Sequence, residues 1–289
     1  MRLIFIASLE HSGSTLLDLV LGGHPRIVGL GELYQLVRAD SPHLQRADQV
    51  MCSCGKPMPH CDFWGPTLKQ LRSHPVESPA QRYQRILDTA AAHFGPDTWL
   101  VDASKNLDAL QFAARWQPFV LFLLRDVRSW TVSRQDERRR QELFTWPDLW
   151  RQSPYRAPIR LLTRSALWYF HQWHRGNRRI QAALETSGLS WFQLGYEELA
   201  LYPEYMTGRI VEALNLPPAT TMVEIAHSHS HSILGNRMRS QPEKRQRIFY
   251  DNRWFYRDDW WRAAGLMRWI MRYNQQHVYA NTRDHLWRS

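Results

Sequence analysis

The stretch "FIASLEHSGSTLLDLVLGGHP", residues 5–25, decides the fold. An apolar run ends in a short polar turn around Gly13, and apolar residues then recur at helical spacing as far as His24 and Pro25. This order of strand, glycine turn and helix is typical of a loop that holds phosphate on the amides at a helix start. A turn that merely joins a strand to a helix shows the same order, so the ligand needs further evidence.

The loop lacks the lysine of a nucleoside-triphosphate site. Such a loop reads G-x-x-x-x-G-K-[ST], and its lysine contacts the β- and γ-phosphates. In the window from Ser8 to Thr15, Gly13 is in place but Ser14 stands where the lysine belongs. The backbone can still hold an anion, whereas the cation over a γ-phosphate is missing. The pattern disfavours a kinase or ATPase and favours another phosphate-bearing ligand.

Composition narrows the class of protein. The chain has 289 residues, 44% of them hydrophobic, and a formal net charge of +10, which suits a polyanionic partner. A nucleic-acid-reading motif is absent, so nucleic acid is not expected as the partner. The apolar runs are too short for a membrane span, and "MRLIFIASLEH" has no signal-peptide pattern. With three cysteines, the chain is expected to be cytoplasmic and reduced.

Apolar runs of strand length alternate with helical patterns along the chain. The apolar runs lie at residues 2–8, 98–104, 119–126 and 189–199, the last predicted as a strand that ends on Tyr196. Helical patterns predict long helices at 158–186 and 258–280. This alternation predicts an α/β fold with a P-loop-like parallel sheet flanked by helices. We expect one domain over residues 1–289, with a lid-like loop at 227–250 and a helical C-terminal portion at 251–289.

Polar motifs follow each predicted strand. They are "LEHSGST", "DASKN", "RDVRS" and "GYEE", and the carboxyl ends of parallel strands meet at one edge of a sheet. Within the third motif, Arg125 ends a strand and Ser133 lies eight positions further on, two turns along the next helix. A guanidinium and a hydroxyl at that spacing can bind one phosphate. A strand-end salt bridge between Arg125 and Asp126 is the alternative.

Together, "EHSGSTL" (10–16) and "RDVRSWTVS" (125–133) resemble two motifs of the sulfotransferase family. Its members move a sulfuryl group from 3′-phosphoadenosine 5′-phosphosulfate (PAPS) to an acceptor. The first motif there binds the 5′-phosphosulfate, and the arginine and serine of the second bind the 3′-phosphate. PAPS has no γ-phosphate, which would explain the missing lysine. Four further segments resemble the family in the same order, namely "HPRIVGLGEL", "VDASK", "GYEELALYPEYMTGRIVEALNL" and "HSILGNRMRS".

The resemblance implies roles for individual residues. Glu32 would be the general base, while Lys105 and His11 would stabilise the transferring group and the leaving oxygen. The family usually has arginine or lysine at position 11, so an imidazolium would serve better there than a neutral ring. Taken alone, Glu32 reads as a helix-start carboxylate and Lys105 as a solvated lysine.

The resemblance also implies a set of donor-binding residues. They are His11, Ser12, Gly13, Ser14, Thr15, Leu16, Arg125, Ser133, Tyr196, Gly235, Asn236, Arg237 and Arg239. Arg237 replaces the proline expected in the lid, which leaves open whether Arg237 or Arg239 contacts the nucleotide.

These residues predict a PAPS-dependent sulfotransferase that acts on a hydroxyl of a carbohydrate, lipid or small metabolite, with peptide tyrosine also open. PAPS is the expected co-substrate, adenosine 3′,5′-bisphosphate (PAP) the product, and no metal is required for the reaction. A homodimer is possible. The rivals are a kinase with a degenerate loop, in which Asp102 would bind magnesium, and a non-enzymatic basic protein that binds nucleotides or polyanions.

Two further segments carry metal-like patterns. "CSCGKPMPHCDFW" (52–64) holds three cysteines and His60, for which zinc, a disulfide and free thiols are the alternatives. The C-x-C spacing is not the usual one for zinc, so packed free thiols are favoured. "HSHSH" (227–231) is interpreted as lid residues. The run "RQDERRRQ" (134–141) is interpreted as a solvated helix face, or as a patch that attracts an anionic acceptor.

Overall fold

Five parallel strands form the centre of the fold in the computed structural model, which describes residues 2–39, 41–141, 165–235, 238 and 246–283. The strands are β1 (Arg2–Ser8), β2 (Ile27–Gly29), β3 (Trp99–Lys105), β4 (Phe119–Leu124) and β5 (Trp191–Gly195). Their order across the sheet is β2-β3-β1-β4-β5, and every neighbouring pair runs parallel. The predicted fold class is therefore confirmed.

Helices cover both faces and one edge of the sheet. They are α1 (Ser14–Leu21), α2 (Leu33–Val37), α3 (Trp64–Ser73), α4 (Pro79–Phe94), α5 (Leu107–Ala113), α6 (Val127–Gln141), α7 (Ala166–Ser187), α8 (Tyr196–Leu201), α9 (Pro203–Ala213), α10 (Trp261–Leu266) and α11 (Arg268–Val278). No helix in these described ranges is apolar over enough length to cross a bilayer.

The central strand β1 is buried on both faces, as its continuous apolar run requires. Ile4 and Ile6 pack with α1 and α9, whereas Phe5 and Ala7 pack with α5, α7 and α11 on the other face. Side chains of a strand alternate between faces, so one short segment anchors two helical layers. A third cluster joins α2, α3 and α4 at the β2 edge.

The predicted elements differ from the observed ones at a few places. Strand β2 was not predicted, because its three residues are too few to show a period. Tyr196 begins α8 rather than ending a strand. The helix expected at 158–186 is seen as α7, and its first residues lie outside the described part. The helix expected at 258–280 is split into α10 and α11 at Met267.

Glu198 joins the end of β5 to the C-terminal residues. Its buried carboxylate accepts hydrogen bonds from the amides of Gly195, Asn281 and Thr282 and from the side chains of the latter two, at 2.7–3.1 Å. The "GYEE" motif was expected to contribute to a ligand site, but this glutamate is structural.

We predict that Glu198→Ala lowers the free energy of unfolding by about 3 kcal/mol or more, because it leaves several buried donors without an acceptor. Urea denaturation would measure the change. The control is Glu212→Ala, which removes a carboxylate whose side chain is 77% exposed and should cost less than about 0.5 kcal/mol. Equal losses in the two variants would contradict the structural role of Glu198.

Candidate active site

The loop after β1 has the backbone of an anion-binding turn. Gly13 precedes α1 with φ of +95°, a conformation that favours glycine. A Cβ atom at this position would lie 2.5 Å from Cδ2 of Tyr196, so glycine is also required by packing. His11 takes a φ of +66° in the same turn.

The first turn of α1 provides the amides that the loop was predicted to offer. In any α-helix the first amides have no partner within the helix, and the dipole makes that end attractive to anions. Ser12 is placed differently, because its amide already donates to the carbonyl of Leu9 at 3.3 Å. Its hydroxyl is buried without a hydrogen-bond partner beneath the loop.

Arg125 lies at the end of β4 and is almost fully buried. Its guanidinium donates to the carbonyl of His11 at 2.8 Å, to Oγ of Ser129 at 2.9 Å and to Oδ2 of Asp251 at 2.6 Å. The same group lies 4.8 Å from the ring centroid of Tyr196, within cation–π range. Arg125 therefore connects the loop, α6 and the C-terminal portion. The salt bridge from Arg125 to Asp126 that was the alternative is not formed, because Asp126 pairs with Arg128 instead.

His11 and Ser133 meet beside this arginine. Nδ1 of His11 lies 3.2 Å from Oγ of Ser133, although 122 positions separate the two residues. Burial, together with the charge of Arg134, lowers the pKa of His11 below its ordinary value. The lowered pKa favours the neutral ring at pH 7.

A cavity of about 350 Å³ collects most of the predicted donor-binding residues. His11, Arg125, Ser133 and Tyr196 line it together with residues 13–16. Met238 and Phe249, from the predicted lid, complete the wall together with Lys105. Three further lining residues had no predicted role, namely Glu10, Asp251 and Arg253. Motifs that are more than 100 positions apart thus share one concave surface.

Lys105 and Glu32 form an ion pair next to this cavity. A register shift in the pairing of β1 with β3 and a φ of +70° place Lys105 at the strand end. Both side chains are largely buried, at 17% and 13% exposure, which strengthens their attraction relative to a surface pair. Gly235 lies against the carboxylate, where a Cβ atom would come within 2.8 Å of Oε1 of Glu32.

A second and larger cavity, of about 1140 Å³, opens on the other side of this pair. Glu32, Lys105, His11 and Glu10 line it, and the last three also line the smaller cavity. Residues of α6 and α7 form much of its wall, among them Trp130, Arg134, Arg138, Trp168 and Arg179. The run at 134–141 therefore contributes to a cavity wall rather than only to a solvated face.

Asp102, which a kinase would use for magnesium, lies in the core. Its carboxylate accepts hydrogen bonds from the hydroxyl of Tyr83 at 2.8 Å, from Ser104 and from the amide of Leu33. Burial raises the pKa of Asp102 to about 6. Since this carboxylate organises the start of α2 and lines neither cavity, the structure disfavours a kinase.

The cysteine loop has a different imidazole partner from the one expected. His60 is exposed, whereas His231 lies beside Cys52 and Cys61, 170 or more positions further along the chain. All three cysteines are free thiols. The imidazole beside the cysteines is therefore that of His231, from the lid segment, and not that of His60.

Most of the residues predicted for the site line one of the two cavities, and some lining residues were not predicted. Asn236, Arg237 and Arg239 lie outside the described residues. Asp251 and Arg253 were missed because they follow the lid in a segment interpreted as a core helix. The contact between Asp251 and Arg125 joins residues 126 positions apart, so no pattern in the neighbouring sequence predicts it.

A parallel sheet with a glycine loop and a buried arginine at its strand ends defines a P-loop-like protein. A model of the sulfotransferase family matches residues 3–221, well over half of the chain. The chain belongs to the sulfotransferase family and is a sulfotransferase. The predicted family and the enzyme class are therefore confirmed.

Several solved structures are similar to this one. The sulfotransferase domain from the curacin biosynthetic pathway is 21% identical, with a TM-score of 0.54 over 91% of this chain and 89% of that one. The domain from the Synechococcus PCC 7002 olefin synthase is 17% identical over 90% and 84% of the chains, with a TM-score of 0.46. Mouse sulfotransferase SULT7A1, complexed with PAP, is 11% identical over 97% and 84%, with a TM-score of 0.48. No curated protein sequence matches this chain.

Proposed function

We propose that this enzyme transfers a sulfuryl group from PAPS to a hydroxyl of a small acceptor. The observation that carries the proposal is the shared cavity, in which the amides of α1 and the pair of Arg125 and Ser133 face one ligand space. A nucleotide with phosphate groups at both its 5′ and 3′ positions needs two anion sites joined in this way.

The donor would lie with its 3′-phosphate on Arg125 and Ser133 and its phosphosulfate on the start of α1. Tyr196, which packs on Gly13, would border the adenosine. Asp251 pairs with Arg125 and with Arg253. A 3′-phosphate would compete with that carboxylate for Arg125, so donor binding includes an exchange of anions.

In the chemical step, the ion pair of Lys105 and Glu32 would lie between the donor and the acceptor. Glu32 takes the proton of the acceptor hydroxyl, whose oxygen attacks the sulfur as the bond from sulfur to the phosphate oxygen breaks. PAP leaves with that electron pair. Lys105 and His11, which line both cavities, stabilise the charge on the transferring group and the leaving oxygen. As in phosphoryl transfer, positioning and charge stabilisation supply most of the catalysis.

The larger cavity is the acceptor site in this proposal. Its described lining balances carboxylates (Glu10, Glu32, Asp108 and Glu137) against cations (Lys105, Arg134, Arg138 and Arg179). A strongly anionic acceptor would meet no excess of positive charge there. Trp130, Trp168 and Tyr169 add flat apolar surfaces, which suit a carbohydrate or a ring-containing metabolite.

We predict that PAP stabilises the protein against heat and that AMP and ADP do so much less. A ligand at 100 times its Kd adds about 2.7 kcal/mol to the free energy of unfolding. The shift should disappear in Arg125→Ala, measured against that variant without ligand. Arg115→Ala is the control, because it removes an exposed arginine that lines neither cavity.

Equal shifts for the three nucleotides, or none, would contradict PAPS as the donor. The rival non-enzymatic polyanion-binding protein would then be preferred if binding weakened steeply with salt.

We predict that Glu32→Gln lowers kcat by about 10²–10⁴-fold, the usual worth of a positioned general base. Its affinity for PAP should stay unchanged, since Glu32 does not line the donor cavity. The assay is PAP release from PAPS with a sugar, alcohol or phenol that supports turnover. Glu185→Gln, an exposed change on α7, is the control. A kcat for Glu32→Gln equal to that of the wild type would contradict the general base and give Glu32 only a structural role beside Lys105.

We predict that kcat/KM for PAPS falls as pH rises through the pKa of His11. That pKa lies below the ordinary value of about 6.5, because burial disfavours the imidazolium. The protonated ring is the better partner for the leaving phosphate, so activity is higher on the acid side. His11→Arg keeps its charge and should lack this decline. Matching pH profiles for the two proteins would rule out a role for the imidazolium.

A further inference from the structure

Three thiols and one imidazole meet at the back of the lid segment, away from both cavities. Cys52, Cys54, Cys61 and His231 each present one ligand atom, and these four atoms all lie within 4.8 Å of one another. We call these four residues the cluster. The geometry points to the cluster as a zinc site. The proposal is independent of the acceptor and of the reaction.

The distances match the edges of a zinc tetrahedron. With bonds of about 2.3 Å to sulfur and 2.0–2.1 Å to nitrogen, neighbouring ligands lie about 3.8 Å apart for two sulfurs and about 3.5 Å for sulfur and nitrogen. Sγ of Cys52 and Sγ of Cys61 are 3.7 Å apart. Nδ1 of His231 is 3.8 Å from the first sulfur and 3.1 Å from the second. An ion would need only small side-chain adjustments.

The backbone of the cysteine loop is shaped around the cluster. Gly55 takes a φ of +87° and donates its amide to the carbonyl of Cys52 at 3.0 Å, which folds the C-x-C-G sequence into a tight turn. The amide of Trp64 points at Sγ of Cys61 at 3.5 Å, a contact that stabilises a thiolate. The indole of Trp64 donates to the carbonyl of His231 at 2.5 Å and holds the histidine in place.

Burial gives the cluster a closed core and an entry side. Cys52 and Cys61 are fully buried, whereas Cys54 is exposed and His231 is half-buried, so an ion can arrive from solvent on that side. Four protein ligands leave no open coordination position, which is the pattern of structural rather than catalytic zinc. Coordination would release the thiol protons to solvent.

The cluster connects to the active site through the backbone of the lid segment. The amide of His231 donates to the carbonyl of Gly29 at 2.7 Å, and the amide of Glu32 donates to the carbonyl of Ile233 at 3.1 Å. Gly235 then lies against the carboxylate of Glu32. Zinc on His231 would therefore fix the segment that borders Glu32, and its loss would loosen that segment without unfolding the sheet.

The test uses the full chain, purified with reductant and without chelator. We expect about one zinc ion per chain by elemental analysis. Co²⁺ added to the metal-free protein should give the strong visible absorption of tetrahedral thiolate ligation. Cys54→Ser and His231→Gln should bind Co²⁺ at least about a hundredfold more weakly. Both ligands lie on the entry side of the cluster rather than in its buried core.

The matched control is His60→Gln, which removes the exposed imidazole of the same loop and should keep one zinc ion and the full Co²⁺ spectrum. Absence of both zinc and a tetrahedral Co²⁺ spectrum in the reduced wild-type protein would overturn the proposal. So would a disulfide between Cys52 and Cys61 in the protein as isolated, or a loss of metal in His60→Gln equal to that in His231→Gln.

Discussion

The site depends on one buried cation. Arg125 is almost fully removed from water, and a charge in that position is tolerated only when its hydrogen bonds are satisfied. The carbonyl of His11, the hydroxyl of Ser129 and the carboxylate of Asp251 satisfy it, and they belong to three distant parts of the chain. The ring of Tyr196 lies between the guanidinium and Gly13, so the loop can approach only because position 13 has no side chain.

Elements of the fold that show a local pattern of residues could be predicted from the sequence. Buried parallel strands are continuous apolar runs, so β1, β3, β4 and β5 could be predicted, and their polar ends converge in the structure as the geometry of a parallel sheet requires. Strand β2 could not be predicted, since it is short and its pairing with β3 joins residues about 70 positions apart. The two cavities could not be predicted either. They are distinct because of how the side chains of Lys105 and Glu32 pack.

Partners that come from far along the chain were missed. His60 was grouped with the cysteines because it is near them in sequence, yet the fold presents His231 at that point. Asp251 was missed because nothing next to it indicates a guanidinium. His231 returns to the sheet through a backbone hydrogen bond to Gly29, which cannot be read from side-chain composition. Asp251 is held by a hydrogen bond from its amide to the hydroxyl of Tyr196, 55 positions away.

The place of β1 in the sheet has a consequence for how the chain is made. This strand is synthesised before both of its neighbours, β3 and β4, which come from residues 99–124. At a synthesis rate of about 5–20 residues per second, its two edges stay unpaired for roughly 6–23 s after it emerges. An apolar strand with free edges is prone to pair with other chains. During that interval the nascent chain exposes such edges at the strand that leads into the glycine loop.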